Sequence, residues 1–413
     1  MGRFLVSAYG PTLLASFGFG AVIPMLAIQA LALGANTGLA AFIAALTGIG
    51  QVAGDLPAGA LADRIGERRA LIAACLVDAG ALGTAFFVHN LWLFAAIVCL
   101  HGLTGSVFSL ARQTYLTVAV PLKWRARAMS SLGGVFRVGN FLGPLAGAAL
   151  IRQHSVASTF LLAGAMSLTA ALVTSFMPDT PGGSPPVDEE TPDAPVPPQA
   201  EDGQTDKATP TPSVTVWSIL HAHRHTLLSV GWGVLALMLV RTARQVLIPL
   251  WCVAHGISPT DTNLIYAVSM AAEVLLFFPG GIIMDRVGRW WATVPTMIIL
   301  GAGFAALPLA HSALAITLLS ALLGVGNGLS SGIVTTLGAD VSPDVGRPQF
   351  LAGWRVFSDV GTSAGPLVIS LATALSGLPA AAWALAVIGW LGAWQLGRLL
   401  PHSGQLPPSQ PRP

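Results

Sequence analysis

Charged side chains stand inside long apolar stretches of this 413-residue chain: Asp55, Asp78, Arg112, Arg137, Arg241, Arg244, Glu273, Arg355 and Asp359, with His101 and Gln51 among them. An aspartate or arginine at the centre of a bilayer-spanning helix costs about 2.5–3.5 kcal/mol on insertion scales. Each such residue must therefore be paired, solvated or used. The chemistry open to these groups is proton uptake and release by the carboxylates and attraction of charged solutes by the guanidinium groups. No phosphate-binding loop, metal cluster or nucleophile constellation accompanies them, so enzymatic activity, a metal or another cofactor is not expected. Cys75, Cys99 and Cys252 lie singly in apolar segments and read as small buried hydrophobes.

Depth follows from helical rise, about 1.5 Å per residue. Glu273 is twelve residues before Asp285, Gln51 twelve before Asp63, Arg137 twelve past Arg125 and Asp359 twelve past Arg347. At this rise all four share one level, roughly 18 Å from the loops. Asp359 has an obvious partner in Arg355, one turn earlier. Asp55 and Arg112 lie nearer those loops and read as a structural ion pair. Arg241 and Arg244, three apart, share a helix face toward the other side; with His101 they are candidates for substrate contact, the competing reading being side chains that reach to the interface. Asp78 reads as a lone acid.

Twelve runs long enough to cross a bilayer hold these residues: 10–32, 39–62, 70–88, 91–115, 128–151, 156–177, 226–252, 262–284, 290–310, 313–338, 350–373 and 379–399. With 54% hydrophobic and only 9% charged residues, the chain cannot cover a water-facing exterior, and lipid is its expected surrounding. The first run lacks a cleavage site after a short core and reads as an anchor. If the N-terminus is inside, the inner loops and tails hold Arg3, Arg64, Arg68, Arg69, Lys123, Arg125, Arg127, Lys207, Arg224, Arg286, Arg289, Arg347, Arg398 and Arg412, and the outer loops only Arg152. That asymmetry places both termini in the cytoplasm of a multi-pass cell-membrane protein. The net charge of +2, scattered between apolar runs, points to no nucleic-acid partner. Trp92, Trp251 and Trp290, at run ends, read as interfacial anchors.

The expected organisation is an N-terminal six-helix half (1–177), a linker (178–213), a C-terminal six-helix half (214–400) and a cytoplasmic tail (401–413). The linker is rich in proline and acid and cannot bury enough apolar surface to fold. His221, His223, Arg224 and His225 follow it and read as a cationic juxtamembrane segment, a metal site being the competing reading. The halves repeat at one offset, 222: Pro57 with Pro279, Gly102 with Gly324, Pro121 with Pro343, Arg125 with Arg347, and Gly139, Gly143 and Pro144 with Gly361, Gly365 and Pro366.

The same offset relates Gly59, Asp63, Arg64 and Gly66 to Gly281, Asp285, Arg286 and Gly288, with Arg68 completing the first loop. This paired loop resembles the signature loop of the major facilitator superfamily, over essentially the whole chain except linker and tails. The resemblance implies an all-α membrane fold of two pseudo-symmetric halves rocking around a midplane cavity, with the paired loops as the cytoplasmic gate. Gly139, Gly143, Pro144 and Gly147 in the fifth run are similar to the motif of the antiporter branches. Gly18 to Pro24 partly resembles the first-run motif of drug/proton antiporters, although Ala27 replaces its second proline. The arginine that such proteins carry in the fourth run is Val98 here, and the first run has no ionisable residue within its span. The resemblance also places the fifth helix against the eighth and the second against the eleventh. Arg137 is thus expected to face Glu273, and Asp359 to neighbour Gln51; a fixed pair that only sets packing is the competing reading.

The expected function is secondary active transport of a small organic solute by a monomer, with protons as the coupling ion and efflux as the direction. Proton-coupled uptake of an anionic metabolite is the alternative, and a non-transporting receptor or scaffold a third reading. Titratable midplane residues favour transport, with Glu273, beside Arg137, the first candidate for proton coupling and Asp359, beside Arg355 and Gln51, the second.

Overall fold

The computed structural model describes residues 2–120, 122–177, 216–343 and 345–402, and among them the chain is helical with no strand. In order the helices are α1 (Gly2–Ala32), α2 (Thr37–Ile65), α3 (Glu67–Ala85), α4 (Leu91–Ala119), α5 (Leu122–Gln153), α6 (Ser158–Ser175), α7 (Val216–Ala222), α8 (Arg224–Ala254), α9 (Pro259–Arg286), α10 (Arg289–Ala306), α11 (Ala313–Leu329), α12 (Ile333–Val341), α13 (Arg347–Ser376) and α14 (Leu378–Leu399). A helix is what an apolar run must form where no water can satisfy its backbone. The expected linker, 178–213, and the tail beyond 402 lie outside the described residues.

Each of the twelve runs is a helix, the tenth in two pieces. Among the described residues ten segments are long and apolar enough to cross a membrane. The other two are α3 and α13, which carry Asp78 on one and Arg355 and Asp359 on the other, and which turn these groups to polar partners inside the bundle. The tenth run breaks between α11 and α12, where Gly332 takes φ +85°, a conformation that costs glycine little. Beside the break, a Cβ on Gly280 of α9 would stand 2.6 Å from the Leu329 carbonyl. The segment expected only as a charged stretch beside the membrane begins as α7. Its Ile219 and Leu220 lie against Gly346 and Gly353 of the twelfth element's neighbour, the α13 region. Trp92 is exposed, as an interfacial anchor should be, but Trp251 is buried and donates its indole N–H to the Ala310 carbonyl at 3.1 Å.

The repeat is visible as repeated packing. In the first half α1 lies on α5, α2 on α4 and α3 on α6; in the second α8 lies on α13, α9 on α11 and α10 on α14. Small residues hold the equivalent crossings. Gly102 meets the Thr47 carbonyl of α2, and its counterpart Gly324 meets the Ser269 carbonyl of α9. Gly143 sits on the Phe17 and Gly20 backbone of α1, and Gly365 on Leu239 and Ala243 of α8. Without a hydrophobic drive between helices in lipid, such close backbone approach supplies the packing.

Across the halves α2 packs on α13, α5 on α9 and α1 on α8. The α2–α13 seam runs from Gly38, whose carbonyl accepts from Ser370 at 2.8 Å, through Gly48 beside Ser363, to Asp55. At one end the helices start at side-chain caps: Asn36, Asn90, Ser258 and Ser312 each accept a backbone N–H. At the other, Gly66 and Gly288 turn the chain with φ +85° and +133°.

Because Gly143 and Gly365 have backbone where a side chain would go, Gly143→Leu and Gly365→Leu should each lower thermal stability by about 1–3 kcal/mol. Gly80, beside which a Cβ meets nothing within 4 Å, should accept alanine with no loss and a gain of up to about 1 kcal/mol. Thermal unfolding of purified protein in detergent compares the three.

Candidate functional site

Glu273, on α9, is buried at the middle of the molecule, 8% exposed. Arg244 of α8 reaches it through Nη2, while Nη1 donates to Ser269 at 2.7 Å. Arg137 of α5 approaches from the other half, with Nε 3.6 Å from the carboxylate and its guanidinium 4.3 Å over the Phe277 ring. Arg241, one turn before Arg244, donates to Asn327 at 2.5 Å, and Asn327 in turn bonds Glu273. One carboxylate thus sits among three guanidinium groups, which leaves two positive charges in excess. The group lines a cavity of about 220 Å³ walled also by Phe19, Asn140 and Tyr266.

The expected approach of Arg137 to Glu273 is therefore present, but Glu273's tighter partner lies in its own half. Arg241 and Arg244 were expected toward the outer side as substrate contacts or snorkelling groups; Arg244 is instead 1% exposed and locked to Glu273. The fixed three-residue spacing gave their common face, but not which neighbour that face meets. Nothing in the sequence marks Asn327 or Ser269, since a polar residue in the run Gly324–Gly328 resembles ordinary small-residue packing.

At the second seam Arg355 of α13 lies 3.3 Å from Asp359 of the same helix and 3.5 Å from Asp55 of α2. Asp55 also accepts from Ser106 of α4, and Asp55 and Asp359 face one another. Here two carboxylates share one guanidinium, leaving one negative charge in excess. One sequence reading is corrected: Asp55 does not pair with Arg112 within the N-terminal half; it pairs across the halves. Asp359 faces Asp55 across the seam. The face of α2 toward α13 runs through Gly48 and Asp55, and Gln51 lies on its flank, lining a separate cavity. Arg112 finds no acid among the described residues; its guanidinium lies 5.5 Å over Phe108 and 6.0 Å over Phe136.

Asp78 is not a lone acid. It accepts from Thr104 at 3.0 Å and Ser167 at 2.7 Å, and His101 Nδ1 stands 2.7 Å from it. No spacing could reveal this cluster, because its members come from α3, α4 and α6. It takes His101 away from the Glu273 cavity.

Among the described residues no ion pair of Asp63 or Asp285 joins the halves. Asp63, Arg64, Asp285 and Arg286 are exposed, and neither aspartate pairs with a cation among the described residues. Each loop is tied within its own half: Arg68 donates to the Ser175 carbonyl, and Arg289 meets Asp340 at 2.9 Å. Gly59 and Gly281 stand beside them on α2 and α9. On α5, Gly139 and Gly143 seat the helix on α1, Pro144 follows within the helix, and Gly147 faces Asn263 of the other half.

A family model described as Major Facilitator Superfamily matches residues 11–251 and 230–412. An uncharacterized MFS-type transporter, YhjO of Bacillus subtilis, is 25% identical over 125 residues, 30% of this chain and 31% of that protein. Multidrug resistance protein MdtG of Escherichia fergusonii is 28% identical over 170 residues, 40% of this chain and 42% of that protein. The chain thus spans less than half the length of these curated relatives. A crystal structure of a D-xylose-proton symporter superposes with a TM-score of 0.68 at 14% identity, covering 96% of this chain and 97% of that one.

Breaking a buried pair by removing one partner typically costs about 3–5 kcal/mol. Arg244→Ala should therefore destabilise far more than Arg137→Ala, since Arg244 is 1% exposed and is Glu273's tighter partner. Removing both partners in Arg244→Ala with Glu273→Ala should recover part of the loss. Thermal melts of the single and double variants check this.

Proposed function

The chain belongs to the Major Facilitator Superfamily, and we propose that it is a proton-coupled exporter of small organic anions. The observation that carries the reading is the cavity at Glu273, where three arginines face one carboxylate in a confined space between the halves. An anion entering it meets the excess positive charge and makes charge-assisted hydrogen bonds with guanidinium groups. The outward direction draws support from the fifth-run glycine and proline motif and from the likeness to proteins named for multidrug resistance. The symporter's likeness supports the fold alone.

Alternating access in this reading rocks the halves against one another. Parting them breaks Arg137 from Glu273 but leaves Arg244 in place, because α8 and α9 belong to one half. A proton on Glu273 would add to a cluster already in positive excess. The proton role expected for Glu273 therefore passes to the other seam. There, parting the halves leaves Arg355 with Asp359, one turn away on the same helix, and strips Asp55 of its cation. One proton shared by Asp55 and Asp359 brings that group to neutrality with Arg355. Asp63 and Asp285, with the arginines beside them, form the gate at the cytoplasmic end when the halves close there.

In proteoliposomes loaded with a pH-sensitive dye, Asp55→Asn should abolish proton movement driven by an anion gradient while downhill anion exchange continues. Glu273→Gln should slow exchange but keep its pH dependence. Normal coupling in Asp55→Asn together with lost pH dependence in Glu273→Gln would refute this assignment. For orientation, a cysteine placed at Ala200 should react with an impermeant thiol reagent only after cells are opened; labelling of intact cells would invert the topology.

A further inference from the structure

A second cavity, of about 140 Å³, lies wholly within the N-terminal half and is separate from the one at Glu273. Phe19 and Phe136, with ring centroids 6.3 Å apart, line both cavities and form the wall they share. One long side is a single face of α4: His101, Thr104, Gly105, Phe108, Ser109 and Arg112 recur at helical spacing along it. Eleven residues separate His101 from Arg112, about three turns and about 16 Å of helix. The cavity thus runs along α4 from His101 to Arg112, with phenylalanine rings between them and Gln51 and Ser109 also on its wall.

Both ends carry unspent hydrogen-bonding capacity. Arg112 has no acidic partner among the described residues, and its Nε is buried without a hydrogen bond. His101 is 6% exposed, and its Nε2 is likewise buried and unpartnered. Its Nδ1, 2.7 Å from Asp78, donates to that carboxylate; with the ring neutral, Nε2 is an acceptor, and His101 lines the cavity. Buried polar groups of this kind are normally satisfied, and one left open calls for a partner. A cavity of about 150 Å³ accommodates one benzene ring.

We infer that this cavity is a binding site for a ring-sized organic acid that carries a hydroxyl at the end opposite its carboxylate. The carboxylate accepts from Arg112, the ring lies among Phe19, Phe108 and Phe136, and the hydroxyl donates to His101 Nε2. The inference goes beyond the transport reading: it concerns a different cavity and requires only binding.

Calorimetric titration of the purified protein with 4-hydroxybenzoate, benzoate and 4-methoxybenzoate tests it. 4-Hydroxybenzoate should bind about tenfold more tightly than benzoate, the worth of one buried hydrogen bond. 4-Methoxybenzoate, which cannot donate, should gain nothing over benzoate. His101→Leu should erase the preference, and Arg112→Gln should weaken both acids about tenfold or more. Arg241→Gln, in the other cavity, should leave the preference for 4-hydroxybenzoate over benzoate unchanged. Absence of binding to the native protein, equal affinity for the three acids, or loss of binding in Arg241→Gln with none in Arg112→Gln would overturn the proposal. The comparison of the three acids needs no variant, so it decides even if a substituted protein fails to fold.

Discussion

A carboxylate held among three guanidinium groups in an apolar interior is the constraint around which this molecule is built. Glu273 and Arg244 are both buried, and neither could be left there without the other. Their pairing fixes the rotation of α8 against α9, and Arg137 adds a contact from the opposite half. Small residues serve the same end. Gly361 and Gly365 bring α13 onto α8, and Gly324 and Gly328 bring α11 onto α9. That second approach places Asn327 between Arg241 and Glu273.

The repeat gives the two seams related positions and opposite charge. Arg137 on α5 corresponds to Asp359 on α13, and Gln51 on α2 to Glu273 on α9, at the common offset of 222. Where α5 meets α9 the excess is positive, and where α13 meets α2 it is negative. In the proposed exchange of an anion against a proton, the two seams are separate places for the two charges. Each seam also holds one ion pair within a half and one across the halves. Rocking can then exchange the second while the first keeps the buried arginine neutralised.

Much of this is legible in the sequence. Twelve apolar runs and one offset carry the helices and the two halves, because lipid imposes helix on any spanning segment and a repeat preserves its glycine contacts. Counting residues from the loops put Arg137 and Glu273 at one depth. Depth is a one-dimensional quantity, however, and the errors arose in the angle around each helix. Asp55 and Gln51 are one turn apart, yet one faces α13 and the other the cavity within the N-terminal half. Arg244 faces Glu273 and not solvent. The Asp78–His101–Ser167 cluster joins three separate runs. It needs the packing of α3 on α4 and α6, which no local pattern encodes.

The central claim is that the movable proton belongs to the Asp55–Asp359 pair and not to Glu273. Infrared difference spectra of the reconstituted protein between neutral and acidic pH report it directly, through the carbonyl band of a protonated carboxyl group. The account predicts that this band disappears in Asp55→Asn and persists in Glu273→Gln. A band that persists in Asp55→Asn and vanishes in Glu273→Gln would contradict it.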